Sequence, residues 1–327
     1  MLVTTESSLL PIPQRIAGRQ TPALFRGSEK LEKSFWTFFG ASIRNKNTRE
    51  AYLTACFRFS DWCESRQVLL IDIEPMTVAA YIETLGEHYQ PASIKQHLAA
   101  IRMLFDYLVI NQQLAMNPAA SVRGPKHVVK RGKTPVLNAE ETRQLFTSID
   151  TDCIVGLRDR ALIGVMLFSF ARISAVLNMR VADYYTQGKR SFFKLTDKGG
   201  KYHVVPAHHK AIEWIDEYID AADFADQPDT PLFRSCGPGR KIKTLTEKPI
   251  PRGTALQMVK RRAMHAGLPS EICNHTFRGT GITEYLRSGG QLEIACKIAD
   301  HESTRTTQLY DRTDDEISLD EIERITF

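Results

Sequence analysis

Apolar residues recur at three- and four-residue steps over the first third of the chain, the period of helices that bury one face. Leu31, Phe35, Phe38 and Phe39 form a first stripe after Ser28. A second stripe, Tyr52, Cys56, Phe59 and Cys63, follows Asn45-Lys46-Asn47, with Thr48 placed to cap it. Pro75 precedes a third stripe, Val78, Tyr81, Ile82 and Leu85. Pro91 precedes a fourth, Ile94, Leu98, Ile101, Leu104, Phe105 and Leu108. These stripes predict one small all-helical domain over 29–112. Residues 1–28, with Pro11, Pro13, Pro22 and two glycines, read as a flexible arm.

A second, larger domain is expected over 138–313. Asn138 can cap a helix running to about Ile149, with Glu140 and Glu141 favourable in its first turn. Helical patterns also cover 157–168 and 173–180. The period then shortens to two. Residues 192–195 and 202–205 read as strands joined by Asp197-Lys198-Gly199-Gly200-Lys201, a glycine-containing hairpin turn. Helical patterns resume at 209–221, 252–266, 276–287, 291–299 and 303–310. The fold class is therefore mainly α with a small antiparallel β-sheet.

Residues 113–137 form an interdomain linker in this reading. Its Pro- and Gly-containing part carries Arg123, Lys126, Lys130, Arg131 and Lys133 and no acidic residue between 117 and 135. Such a segment is either a solvated connection or a strap lying along a phosphate backbone. After the second domain, 314–327 ends in a capping-box word, Ser318-Leu319-Asp320-Glu321, with Leu319, Ile322 and Ile325 on one face. A helix this short needs a docking surface, on its own domain or on a neighbouring subunit.

Composition narrows the class. The 327 residues are 43% apolar and 25% charged, within the range of folded globular chains and outside that of disordered or collagen-like ones. The net charge of +5 is compatible with a polyanionic partner without demanding one. No apolar run approaches the length of a membrane span. No secretory leader pattern opens the chain, so the expected location is the cytoplasm. The six cysteines, Cys56, Cys63, Cys153, Cys236, Cys273 and Cys296, contain no CxxC pair and suggest buried reduced thiols. His208-His209 is read as a helix-start feature, because adjacent helix residues point in different directions; no metal is expected. No Gly-rich nucleotide loop is present, and no cofactor is expected.

The candidate chemistry lies in a few polar residues of the second domain. Arg172 follows Leu167-Phe168-Ser169-Phe170-Ala171, where a guanidinium needs a partner to offset its burial. His275 and Arg278 lie three residues apart and share a helix face, a pairing suited to an anion clamp. Gly279 and Gly281 after them permit another backbone, or DNA, to approach closely. His301 sits before a plausible N-cap, Ser303, and Tyr310 ends the short helix that follows. Each of these is weak alone.

In order, however, Arg172, Lys198, His275-Thr276-Phe277-Arg278, His301 and Tyr310 closely resemble the tyrosine recombinase, or phage-integrase, family. The flanking words Gly156-Leu157-Arg158-Asp159-Arg160-Ala161-Leu162, Ala299-Asp300-His301-Glu302-Ser303 and Thr306-Thr307-Gln308-Leu309-Tyr310 agree. The resemblance spans about 290 residues and takes in 29–112 as a core-binding domain ahead of a mixed α/β catalytic domain. It implies a site-specific DNA recombinase in which Tyr310 attacks a scissile phosphate to form a 3′-phosphotyrosyl link. Arg172 and Arg278 hold the non-bridging oxygens. His275 and His301 complete the cage, with His275 as proton acceptor. Lys198 is the general acid for the departing 5′-oxygen, with Lys201 as the competing assignment.

The resemblance also implies double-stranded DNA as partner, a homotetramer on DNA with the tail helix exchanged between protomers, and integration or excision of a mobile element. Two positions depart from the family pattern. Ala175 stands where many members have an acidic residue, which weakens the expected support of the cage from behind. Gly279 stands where many have histidine. The physical logic is independent of the resemblance. A phenol of pKa about 10 needs a base or a positive field to act as nucleophile. Fixed guanidinium groups stabilise charge building on phosphoryl oxygens. Alternative readings are a type IB topoisomerase-like or telomere-resolvase enzyme sharing the cage, and a catalytically inactive DNA-binding protein.

Overall fold

In the computed structural model, the described residues are 19–127, 132–196, 200–237 and 244–311. The chain divides into two compact units, Met1–Val128 and Val129–Phe327. Lys130, Arg131, Lys198 and the tail 314–327, with most of the N-terminal arm, lie outside the described residues.

The first unit is helical. It contains α1 (Glu29–Thr37), continued by a π-helical turn at Phe38–Ser42, then α2 (Lys46–Glu64), α3 (Pro75–Gly86) and α4 (Pro91–Ile110). Phe35, Phe38, Phe39, Phe59 and Phe105 are fully buried in its core. The expected caps need one correction. Asn45, not Thr48, caps α2: its Oδ1 accepts from the amides of Asn47 and Thr48 at 3.0 and 3.1 Å.

The arm and the linker also differ from expectation where they are described. Residues 19–28 are tied down: Phe25 stacks on Phe35 at 4.8 Å, the Leu24 amide donates to Ser60 Oγ at 3.1 Å, and Trp36 Nε1 donates to Thr21 Oγ1 at 3.0 Å. The start of the predicted linker is part of this unit's packing. Ala119 and Val122 are buried in its core. Arg102 on α4 donates to the carbonyls of both, and Asn117 Nδ2 reaches the Arg102 carbonyl at 3.0 Å. Two small apolar residues and a set of main-chain acceptors override a Pro- and Gly-rich composition that reads as solvated.

The second unit opens with α5 (Ala139–Thr147), capped by the reciprocal Asn138–Glu141 box that the sequence indicates. It continues with α6 (Ile154–Ser169) and α7 (Ile173–Leu177). A three-stranded antiparallel meander follows: β1 (Tyr184–Gln187), β2 (Arg190–Thr196) and β3 (Tyr202–Pro206). Phe193 of β2 pairs with Tyr184 and Val205, and Phe193, Leu195 and Val205 face the core. Then come α8 (His209–Ala222), a two-stranded sheet of β4 (Arg234–Cys236) and β5 (Leu245–Pro249), and α9 (Arg252–His265). The unit ends, among the described residues, with α10 (Asn274–Arg287), α11 (Leu292–Ile298) and α12 (Thr304–Gln308). Strands β1, β4 and β5 were absent from the sequence pattern. They are three to five residues long and partly exposed, so alternation leaves little trace.

His208 does start α8: its ring nitrogen accepts from the Lys210 amide at 3.2 Å while the ring stacks on Phe168 at 4.0 Å. The cysteine reading is corrected in part. Cys56 and Cys63 are buried, but Cys153 is exposed and Cys236, Cys273 and Cys296 are half-buried.

Two features lock the core of this unit. Asp159 on α6 is fully buried; one carboxylate oxygen accepts from Arg158 Nη2 at 2.6 Å, the other from Arg262 Nη2 of α9 at 2.8 Å. Arg158 Nη1 continues to the Arg234 carbonyl of β4 at 2.9 Å, so one carboxylate ties α6, α9 and β4 together. The second feature is Gly281 on α10. A Cβ there would lie 2.1 Å from the Leu167 carbonyl oxygen and 2.7 Å from the Phe170 ring. The close approach expected at Gly281 is thus by the backbone of α6. Gly281→Ala is expected to destabilise the protein by about 3 kcal/mol, whereas Gly253→Ala, with nothing within 4 Å of the added methyl, stays within about 1 kcal/mol of the parent. Urea unfolding of the whole chain measures both.

Candidate active site

The site is assembled at a turn. Phe170 adopts φ +53°, a left-handed conformation that is uncommon for a bulky side chain, and ends α6 abruptly. The chain reverses and Arg172 becomes the N-cap of α7, its carbonyl accepting from the amides of Ala175 and Val176 at 2.9 and 3.2 Å. Arg278 projects from α10 into the space behind that turn and is 1% exposed. Its Nη1 donates to the Phe170 carbonyl and its Nη2 to the Ala299 carbonyl at 2.6 Å, joining the end of α6 to the end of α11.

Tyr310 is brought to Arg278 by main-chain and hydroxyl contacts. Its amide donates to the Thr307 carbonyl at 2.9 Å, and its carbonyl accepts from Thr283 Oγ1 on α10 at 2.6 Å. The Gly132 amide donates to the Leu309 carbonyl at 3.0 Å, pinning the same turn from the other side. The ring is buried with Phe170, Ile282, Ala295 and Ala299. The phenol oxygen is hydrogen-bonded to His275 Nε2 and also meets the Arg278 guanidinium. The His301 ring stacks parallel to the Tyr310 ring, 5.8 Å between centroids and 7° between planes. His301 Nδ1 lies 2.8 Å from Thr307 Oγ1.

The electrostatics follow from burial among cations. His275 is held below its ordinary value first by burial, then by Arg278, Arg172 and Arg252. His301 is pushed down to about 3 by burial, Arg278, Arg172 and His275, with Asp300 opposing. Both imidazoles are therefore neutral at pH 7. Burial raises the Tyr310 phenol, while the charges of Arg278 and Arg172 and a hydrogen bond from Arg278 pull it back. Among the described residues, the region thus holds the guanidinium groups of Arg172, Arg252 and Arg278, two neutral imidazoles and one phenol. It can accept an anion, and it places a proton acceptor on the oxygen that would attack it.

Of the residues singled out in the sequence, the structure gathers His275, Arg278, His301 and Tyr310 by direct contact. Arg172 is half-buried and acts on three of them through its charge. Lys198 lies outside the described residues. Lys201 is exposed, with Nζ 3.4 Å from Asp300 Oδ1. Arg123 and Lys126 are exposed on the first unit and Lys133 on the second. Gly279 also has a structural reason: a Cβ would lie 3.1 Å from Val136 Cγ1 and 3.4 Å from Tyr310 Cδ1. Both expected close approaches on α10 are made by this protein's own atoms. Ala175 is buried in the core.

Several contributors gave little sign of themselves in the sequence. Thr283 and Thr307 look like ordinary helix residues; folding buries both, one hydroxyl on the Tyr310 carbonyl and the other beside His301 Nδ1. Arg252, exposed at the start of α9, is one of many surface arginines until folding sets it near His275. Among the described residues, no helix is long and apolar enough to cross a membrane.

A helical unit is followed by a mainly helical unit with a small antiparallel sheet, and the second unit sets a phenol beside guanidinium and imidazole groups, an arrangement suited to binding an anion. Comparison with known proteins gives the class. Residues 135–316 match the phage integrase family, and 40–112 match the phage integrase N-terminal SAM-like domain. Tyrosine recombinase XerD of Chlorobaculum tepidum is 27% identical over 305 residues, 90% of this chain and 92% of that protein. Tyrosine recombinase XerC of Proteus mirabilis is 30% identical over 228 residues, 69% of each chain. The crystal structure of the XerH site-specific recombinase bound to palindromic difH substrate, a post-cleavage complex, superposes with a TM-score of 0.69 at 18% identity, covering 93% of this chain and 91% of that one. The chain belongs to the phage integrase family and is a tyrosine recombinase, a DNA breaking and rejoining enzyme.

The depressed imidazoles carry a pH consequence. Between the ordinary histidine value of 6.5 and their lower folded values, the unfolded chain binds more protons than the folded one, so stability rises with pH across that window. For His301 the window runs from 6.5 down to about 3. His301→Gln is expected to flatten the fall in stability below pH 6.5 by at most about 1.4 kcal/mol per pH unit, measured by denaturant unfolding of both proteins from pH 7 to pH 4.

Proposed function

We propose that this chain is a site-specific recombinase that cuts and rejoins double-stranded DNA through a 3′-phosphotyrosyl intermediate. The observation that carries the reading is the hydrogen bond between the Tyr310 phenol and His275 Nε2 beside the buried Arg278 guanidinium. In the first step the phenol oxygen attacks the scissile phosphorus and its proton passes to His275. Arg172 and Arg278 hold the non-bridging oxygens as charge builds on them, with His301 completing the cage. The bond from phosphorus to the 5′-oxygen breaks, and Lys198 protonates the departing oxygen. The reverse reaction with a new 5′-hydroxyl rejoins the strand. The covalent link retains the energy of the phosphodiester, so no nucleotide is consumed.

In this reading the basic segment with Arg123, Lys126, Lys130, Arg131 and Lys133 neutralises backbone phosphates. Four protomers assemble on two sites in the cytoplasm, exchanging their tail helices. The substrates are the ends of a mobile element that the enzyme integrates or excises. The similar XerH recombinase is bound to palindromic difH substrate, and a similar lambda integrase is a tetramer bound to a Holliday junction, which supports the same assembly here.

Nicked cognate DNA tests the chemistry by trapping the covalent adduct. Tyr310→Phe is expected to form none. Arg278→Lys is expected to lose more than about 100-fold in adduct formation, because an ammonium lacks the planar fork that spans two carbonyls. Relaxation of a supercoiled plasmid lacking a target site would instead assign a topoisomerase. DNA binding without any phosphotyrosine would assign an inactive DNA-binding protein. The linker contribution is read separately: each linker charge that neutralises a phosphate adds about 0.9 to the slope of log affinity against log salt. Arg123→Ala with Lys126→Ala should therefore lower the slope by about 2.

A further inference from the structure

Helix α12 is five residues long, too short to hold a side chain in place by its own stability. What fixes the turn that ends at Tyr310 is a set of polar contacts, and Thr307 makes two of them. It is fully buried. Its carbonyl accepts from the Tyr310 amide at 2.9 Å, and its hydroxyl lies 2.8 Å from His301 Nδ1. A helical threonine commonly returns its hydroxyl proton to the carbonyl four residues earlier. Here that carbonyl, on Ser303, already accepts from the Thr306 amide at 3.0 Å.

From this geometry we infer that Thr307 is a positioning residue: its hydroxyl donates to Nδ1 of His301, fixes the neutral tautomer with the proton on Nε2, and so presents His301 to the scissile phosphate as a hydrogen-bond donor. The inference rests on the recombinase reading for its catalytic consequence. The chemistry is simple. Non-bridging phosphate oxygens only accept hydrogen bonds, and a neutral imidazole carries a single N–H. With the proton on Nδ1, His301 would turn a lone pair toward the anion and repel it. His301 is kept neutral by burial and by Arg278 and Arg172, so it has no second proton to offer. The partner on Nδ1 therefore decides whether His301 stabilises or opposes the charge that builds on the phosphate oxygens during attack.

The test pairs a spectrum with a rate. Long-range proton–nitrogen NMR reads the His301 tautomer in the parent, in Thr307→Val, which keeps the shape and removes the hydroxyl, and in Thr307→Ser, which keeps the hydroxyl. His301→Gln assigns the signals. Adduct formation on saturating nicked DNA is measured for the same proteins, with DNA affinity as a control. The parent should show the proton on Nε2. Thr307→Val should show a mixture of tautomers and cleave about 10- to 100-fold more slowly at unchanged DNA affinity. Thr307→Ser should restore the tautomer and bring the rate within about 3-fold of the parent. A proton on Nδ1 in the parent overturns the inference, as does a Thr307→Val variant that cleaves like the parent or a Thr307→Ser variant as slow as Thr307→Val. A parent that forms no adduct refutes the recombinase reading instead, while the parent spectrum still decides the tautomer. If Thr307→Val does not fold, the parent spectrum and Thr307→Ser carry the decision.

Discussion

The buried guanidinium of Arg278 is the contact on which the rest of the catalytic unit depends. Taking such a charge out of water is costly unless donors and acceptors replace the lost hydration. Here main-chain carbonyls of Phe170 and Ala299, and the Tyr310 phenol, are among those that do so. These acceptors come from three separate stretches of chain. Satisfying one side chain therefore draws the end of α6, the end of α11 and the tyrosine turn to one point. Carbonyl partners leave the positive charge in place, so it acts on whatever binds in front of it. Deeper in the same unit, Asp159 compensates Arg158 and Arg262 and clamps secondary structure.

The charge of Arg278 explains why the two histidines belong together. An imidazole near two guanidinium groups and partly removed from water stays neutral, and a neutral ring has one nitrogen to accept and one to donate. His275 has Nε2 hydrogen-bonded to the Tyr310 phenol. His301 has Nδ1 engaged by Thr307 and is stacked on the Tyr310 ring. Similar residues at a similar depth thus take complementary parts, set by what each nitrogen touches. The same burial makes the folded state sensitive to acid.

Much of this was legible along the chain. The helical stripes of the first unit, the Asn138 cap, the proline-led starts of α3 and α4, and the hairpin of β2 and β3 rest on local periodicity and local capping, which a single sequence carries in full. The ordered polar residues from Arg172 to Tyr310 could be picked out because their order, spacing and flanking words resemble one family's pattern. What stayed hidden depends on contacts between distant segments. Asn117, Ala119 and Val122 look like linker residues until Arg102 is placed against them. Gly279 and Gly281 read as weak points in a helix until Val136, Tyr310, Leu167 and Phe170 are seen to occupy the space they leave. Thr283 and Thr307 have no periodicity of their own to distinguish them.

The sequence by itself determined which segments become helices, which chemical groups are available, and the family to which they belong, because propensity, capping and motif order act over a few residues at a time. Only the tertiary structure decided that Phe170 turns through a left-handed conformation, that Arg278 is held by carbonyls from α6 and α11, and that His275 rather than His301 meets the phenol. Those outcomes depend on which remote group ends up within hydrogen-bonding distance in a medium without water. Burial and contact are properties of the packed chain and have no counterpart in the order of its residues.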